Sequence, residues 1–413
     1  MLDRDFRGYD PGLLATNRDP SMRNFSTFEL ASVELSHLKF SAQKRYVGKL
    51  IALCLTAYFA MFGIVAEQAV AQTQADNSQN EIASGAWHTI QPGGDTLCSD
   101  GTPYRFLVRP GDPTKLLFHL QGGGGCWRRE NCDPNMQPTY RINTEDLTAP
   151  SDGVFAFDNK NNPFADYSVV MVAYCSGDIH LGSRDMEYPA VTPDQQPLTI
   201  YHRGRANVES ALQWTYANLP APTEVFVSGS SAGALPSPLY ASMLADHYPQ
   251  AKFAHLGDAA GGYLFDAPDT RPRDIWGTFE FLNNTPGFEN IPGSAFSYEA
   301  LYTAAAEANP QILFARYDNA EDRAQKAFLA MRGVIDISLL TSLQANNEHI
   351  RSQVNNFRAY IAGGDLHTIL GKPEFYELTA QDVSIRDWVA ALAKRQPVAD
   401  VQCQDCTVHQ TIK

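Results

Sequence analysis

Basic side chains are the scarce charge in this chain: 32 Lys and Arg stand against 46 Asp and Glu, a formal net charge of -14. That balance argues against a nucleic-acid groove or an anionic membrane surface as partner. Internal repeats and low-complexity tracts are absent as well. What remains is 413 residues, 44% hydrophobic and 11% aromatic, enough to bury a large core. The one long uncharged apolar run, Leu50–Ala66, follows Lys44, Arg45 and Lys49 and precedes the small-residue pattern Ala69-Val70-Ala71. Basic flank, apolar run and small-residue site read together as an export signal. The run is long for a signal and short for a comfortable span, so a retained anchor is the competing reading. Residues 1–43 then form an N-terminal tail, cytoplasmic or untranslated, and 44–71 the export signal or anchor. Residues 72–95 are polar and read as a linker, leaving 96–413 as the folded domain. The expected location is secreted or periplasmic, with membrane contact only if the apolar segment is retained.

Cysteines are few and agree with export. Cys54 lies inside the apolar run; six remain, an even number that suggests three disulfides in an oxidising compartment. Cys126 with Cys132 and Cys403 with Cys406 are local pairs, which leaves Cys98 and Cys175. A zinc site at Cys403, Cys406 and His409 would hold only a partial ligand set, and a redox CxxC is the other alternative; disulfides are favoured and no metal is expected.

The domain alternates strand-like and helix-like stretches. Strands are expected at Lys115–Leu120, Val169–Ala173, Glu224–Ser228, Phe253–Leu256, Ile312–Tyr317 and Phe357–Ile361. Helical faces are marked by Val208, Ala211, Leu212 and Leu219, and by Ala324, Ala327, Phe328 and Met331. A further helix over about 384–394 opens with Ser384 and Asp387 as a cap pair. Strands that are apolar throughout, alternating with helices, imply an α/β fold with a mostly parallel sheet covered by helices on both faces.

Gly229-Ser230-Ser231-Ala232-Gly233 directly follows the strand-like run Glu224–Ser228. This is the strand-to-helix elbow on which an ester hydrolase holds a serine clear of its sheet, Ser231 here. A serine hydroxyl needs a base to take its proton and an acid to orient that base. His367 follows the last core strand through Ala362-Gly-Gly-Asp-Leu366 and is the expected base, ahead of His349 and His409. Asp318, ending the strand Ile312–Tyr317 between serine and histidine, is the expected acid, with Asp258 as runner-up. Gln121-Gly122-Gly123-Gly124-Gly125-Cys126-Trp127 follows the first core strand, where such enzymes keep oxyanion donors. A phosphate loop would need Lys-Ser/Thr after the glycines, which is missing.

These motifs resemble those of the pectin acetylesterase and Notum group of secreted serine esterases, over a stretch running from Cys98-Ser-Asp-Gly-Thr-Pro-Tyr104 to His367. Leu120–Cys132 is similar to that family's oxyanion loop and short disulfide. Tyr174-Cys-Ser-Gly-Asp178 resembles its next strand end, and the Ser231 pentapeptide its elbow. Tyr317-Asp318 and Asp365-Leu-His367 resemble its acid and base positions. The resemblance implies an α/β-hydrolase-like fold, oxyanion N–H groups from Gly123, Gly124 and Ala232, pairing of Cys98 with Cys175, and Asp258-Ala259 as a structural loop. The chain departs from the family where a loop Trp is displaced to Trp127 and where the elbow continues into Ala234, which alters the acyl pocket's walls.

The expectation is therefore an exported serine carboxylesterase needing no cofactor, with an O-acetylated polysaccharide such as pectin as its partner. A lipid or protein O-deacylase of Notum type, and a non-catalytic carbohydrate-binding relative, are the alternatives.

Overall fold

The computed structural model describes residues 84–263, 274–291, 296–335 and 338–411. The expected tail 1–43, the export signal 44–71 and the first part of the linker lie outside the described residues. Fourteen strands run in chain order among the described residues: β1 His88–Ile90, β2 Phe106–Arg109, β3 Asp112–Leu120, β4 Tyr167–Val172, β5 Arg184–Tyr188, β6 Leu198–His202, β7 Glu224–Ser230, β8 Lys252–Asp258, β9 Phe314–Asn319, β10 Phe357–Ala362, β11 Leu378–Ala380, β12 Val383–Ser384, β13 Val401–Gln402 and β14 Gln410–Thr411. The longer helices are α1 Gly204–Asn218, α2 Ser237–His247, α3 Tyr298–Ala308, α4 Arg323–Met331, α5 Leu339–Arg351 and α6 Ile385–Ala393.

Nine strands form one sheet in the order β1-β2-β4-β3-β7-β8-β9-β10-β13. The β1/β2 and β2/β4 pairs are antiparallel, and the pairs from β4/β3 to β10/β13 are parallel. All six expected strands are present and form the parallel centre. Their side chains go alternately to two cores. Leu116, Phe118, Leu120, Val225 and Val227 join one apolar cluster with Val208, Ala211 and Leu212 of α1 and Leu239 and Leu244 of α2. Leu117, Phe226, Leu256, Tyr317 and Tyr360 join another with Trp388, Val389 and Leu392 of α6. Burial on both faces makes these strands read as unbroken apolar runs. The architecture is that of an α/β hydrolase, as expected.

Two local expectations change. The linker does not reach residue 95, because His88–Ile90 pairs with Phe106–Val108 at the sheet's edge. Three partly exposed residues give no apolar run to mark such a strand. In α4 the buried residues are Gln325 and Leu329 rather than the stripe Ala324, Ala327, Phe328 and Met331. That helix turns a polar side chain inward, for a reason the site makes plain. Helix α6 does begin as expected, with the Ser384 hydroxyl accepting from Asp387 N. No described helix is long and apolar enough to cross a membrane.

Candidate active site

Strand β7 lies between β3 and β8, near the middle of the sheet, and ends at Ser230. The chain then turns through Ser231 at φ 54°, a left-handed conformation that costs a non-glycine residue about 1–3 kcal/mol and clusters at functional sites. The flanking glycines are steric necessities. A Cβ at Gly229 would overlap the Gly233 carbonyl, and one at Gly233 would overlap the Leu120 carbonyl of β3. So the elbow is pressed against its own return and the neighbouring strand, and Ser231 is lifted off the sheet's carboxyl edge.

His367 meets it there. Its Nε2 lies 2.7 Å from Ser231 Oγ. The loop carrying it, after β10, is zipped to the loop after β9: Ala320 N donates to Ala362 O, Glu321 N to Gly364 O, and the Asn319 amide to Gly363 O. On its other side the C-terminal segment braces it. Gly364 N donates to Cys406 O at 3.0 Å, Cys403 N donates to Ile361 O at 2.8 Å, and His409 Nε2 lies 3.3 Å from Asp365 Oδ1.

The acid against the imidazole is Asp322, not Asp318. Asp322 Oδ2 lies 2.8 Å from His367 Nδ1. Asp318 is still within β9 and buried, accepting from Gly261 N and from the Gln325 amide, both at 2.9 Å. The zipper of backbone bonds brings the imidazole opposite the fourth residue beyond the expected one. Asp322 is the N-cap of α4; its Oδ1 accepts from Ala324 N and Gln325 N. Gln325 joins the two acids, its amide donating to Asp318 Oδ1 at 2.9 Å and Asp322 Oδ2 at 3.0 Å. This is why α4 buries a glutamine. Sequence reasoning missed both residues, although an Asp opening a helix after a strand was the available signal. Asp258, the runner-up, does not touch His367 either; it accepts from Ser230 Oγ, Ile369 N and Leu370 N.

Burial alone would lower the His367 pKa. The hydrogen bond and charge of Asp322, with Asp258 and Asp318 behind it, reverse this and raise it above the ordinary imidazole value. Burial pushes Asp318 up to about 7, against the lowering effect of its hydrogen bonds and Arg316. Asp258 is likewise pushed up by burial to about 6. His119 and His255 are buried and lowered to about 3, bonded to Ser228 of β7 and to Ser237 of α2. The His349 imidazole lies 2.9 Å from the Gln353 amide nitrogen.

A pocket opens beside Ser231. Ala232, Gly124 and Gly125 form part of its wall; Ile179, Leu235, Trp276, Tyr298 and Phe328 make it apolar. Gly125 N donates to Thr139 O at 3.3 Å, whereas Gly123 and Gly124 have no such internal acceptor among the described residues. Gly123 is not itself a wall residue; its Cα abuts the Tyr174 ring. Trp127, displaced from the glycine run in sequence, still lines the cavity. Disulfides join Cys98 to Cys175, Cys126 to Cys132 and Cys403 to Cys406. The sulfurs weighed as zinc ligands are thus bonded to each other, as are those of the Cys126, Cys132 and His202 cluster.

The profile of the family described as Pectinacetylesterase matches residues 85–306, more than half of the chain. Pectin acetylesterase 4 of Arabidopsis thaliana is 27% identical over 190 residues, 44% of this chain and 44% of that protein. Pectin acetylesterase 5 of the same plant is 26% identical over 180 residues, 42% and 40% of the two chains. Palmitoleoyl-protein carboxylesterase NOTUM of Homo sapiens is 30% identical over 92 residues, 21% of this chain and 18% of that protein. The chain spans less than half the length of the curated relatives it matches.

Proposed function

The chain belongs to the pectinacetylesterase family, and from that membership we propose that it is a serine carboxylesterase acting on acetyl esters of a polysaccharide. The observation that carries the reading is the continuous relay Ser231 Oγ, His367, Asp322, with contacts of 2.7 and 2.8 Å. Ser231 attacks the ester carbonyl while His367 Nε2 takes its proton and then returns it to the departing alcohol. Asp322 fixes the tautomer with hydrogen on Nδ1 and stabilises the imidazolium as it forms. This reading assigns the oxyanion to the N–H groups of Gly123, Gly124 and Ala232, each such donor being worth about 3–4 kcal/mol of barrier. Water at the same position then releases the acyl group and restores the serine. Three disulfides and the basic-apolar-small pattern at residues 44–71 support action outside the cytoplasm.

The apolar cavity favours a second reading, an O-deacylase for longer acyl chains, since acetyl alone needs few of the side chains Leu235, Trp276, Tyr298 and Phe328. One assay decides both questions: hydrolysis of p-nitrophenyl acetate, butyrate and octanoate by the intact protein and by S231A, with fluorophosphonate labelling. Turnover and labelling lost together in S231A are expected, and chain-length preference separates the two readings. A folded parent that neither hydrolyses nor labels would overturn the esterase reading.

A further inference from the structure

The carboxylate of Asp258 lies beneath the relay without touching it. It ends β8 in register with Ser230 at the end of β7, so the two side chains are neighbours across a parallel pair. Ser230 Oγ donates to Asp258 Oδ2 at 2.8 Å. Two residues beyond His367, Ile369 N donates to both carboxylate oxygens at 2.9 and 3.0 Å, and Leu370 N donates to Oδ2 at 3.0 Å. One buried group therefore grips the residue before the nucleophile and the segment just after the base.

We infer that Asp258 is a positioning residue for the relay: it fixes the Ser231 elbow and the His367 loop to one carboxylate and sets the 2.7 Å contact between them. The backbone around it supports this. Ser231, Ala259 and Thr368 are all non-glycine residues with left-handed φ, of 54°, 66° and 64°. Each adjoins one of the Asp258 partners or Asp258 itself, so three strained turns converge on one anchor. Such conformations persist only where the surroundings over-determine them, and charge-assisted hydrogen bonds from three donors, Ser230, Ile369 and Leu370, do so. Ser230 is thereby kept from competing with Ser231: its hydroxyl points at Asp258, and the base is left to its neighbour. The carboxylate also adds negative charge near the imidazole, together with Asp322 and Asp318, the other acids whose charge reaches His367.

The inference rests on the esterase reading, and the test separates the two. Parent and D258N are compared in p-nitrophenyl acetate hydrolysis, fluorophosphonate labelling rate and the pH profile of kcat/KM. In D258N we expect kcat to fall about tenfold or more with KM unchanged, the cost of a small misplacement of reacting groups. The labelling rate falls in parallel, and the acid limb of the profile moves to lower pH because a negative charge near His367 is gone. A folded D258N with parental kcat overturns the inference. So does a folded D258N whose turnover falls while its fluorophosphonate labelling rate stays parental, since the Ser231–His367 contact would then be intact. If D258N does not fold, S230A, which removes one donor and no charge, decides: kcat lowered several-fold at constant KM supports the inference, and an unchanged kcat overturns it. A parent that neither turns over nor labels would defeat the esterase reading itself and the inference with it.

Discussion

Asp322 holds His367 with one carboxylate oxygen and caps its own helix with the other. The Oδ2 contact to Nδ1 is 2.8 Å, and Oδ1 accepts from Ala324 N and Gln325 N. Removal of this side chain therefore has two separable effects. An N-cap is worth about 1 kcal/mol of stability, whereas loss of an orienting acid costs about 10⁴ in kcat. We expect D322N to keep most of the fold and lose kcat by about 10³–10⁴. D318N, one hydrogen bond further out, should stay within about tenfold of the parent. Steady-state kinetics on both variants checks the assignment; the reverse order would restore Asp318 as the acid.

The raised pKa of His367 fixes a sign for the pH profile. The base must be neutral to accept the serine proton, so kcat/KM should fall as pH drops through a value above that of free imidazole, about 6.5. In D322N the remaining acid limb should lie lower, because burial is then less opposed. Profiles from pH 4 to 9 measure both; a parental rate flat down to pH 4 would rule out His367 as the base.

Asp318 predicts a stability effect of opposite kind. Its folded pKa, about 7, exceeds the ordinary carboxylate value of 3.8, so the folded state binds the extra proton between these limits. Stability from this group therefore declines as pH rises from about 4 to 7. D318N cannot ionise and escapes that decline. Its melting temperature relative to the parent should be more favourable at pH 8 than at pH 5; a pH-independent difference would contradict the shift.

Disulfides of unequal span should contribute unequally. Cys98–Cys175 closes a separation of 77 residues and Cys126–Cys132 one of 6. By loop entropy these are worth about 4.5 and about 2 kcal/mol. Urea unfolding of the paired Ser variants would test the ordering, and for Cys126–Cys132 a fall in kcat should accompany the smaller stability loss because it adjoins the Gly122–Gly125 loop.

Much of this was legible from the chain. Six doubly buried strands announce themselves as apolar runs, and the Gly229–Gly233 elbow is readable because only glycine fits where backbone meets backbone. His367 was found from its place after the last core strand. Asp322 was not, because its signal is that of any helix cap: an acid opening a turn. What distinguishes it is the zipper between residues 319–323 and 362–365, a pairing between two loops that no local pattern encodes. Asp318 satisfied the chain order as well and lies only one turn of loop away. The role of Gln325 was hidden for the same reason, since a polar residue in a helix reads as solvent-facing until the group it meets is known.

The brace on the His367 loop also orders events in time. Ser231, Asp322 and His367 are all synthesised before residues 403–409, which hold the loop through Gly364 and Asp365. The Cys403–Cys406 bond that shapes this brace forms only in an oxidising medium. Under the proposed export and esterase readings, the brace on the relay closes only once the chain has left the reducing interior of the cell.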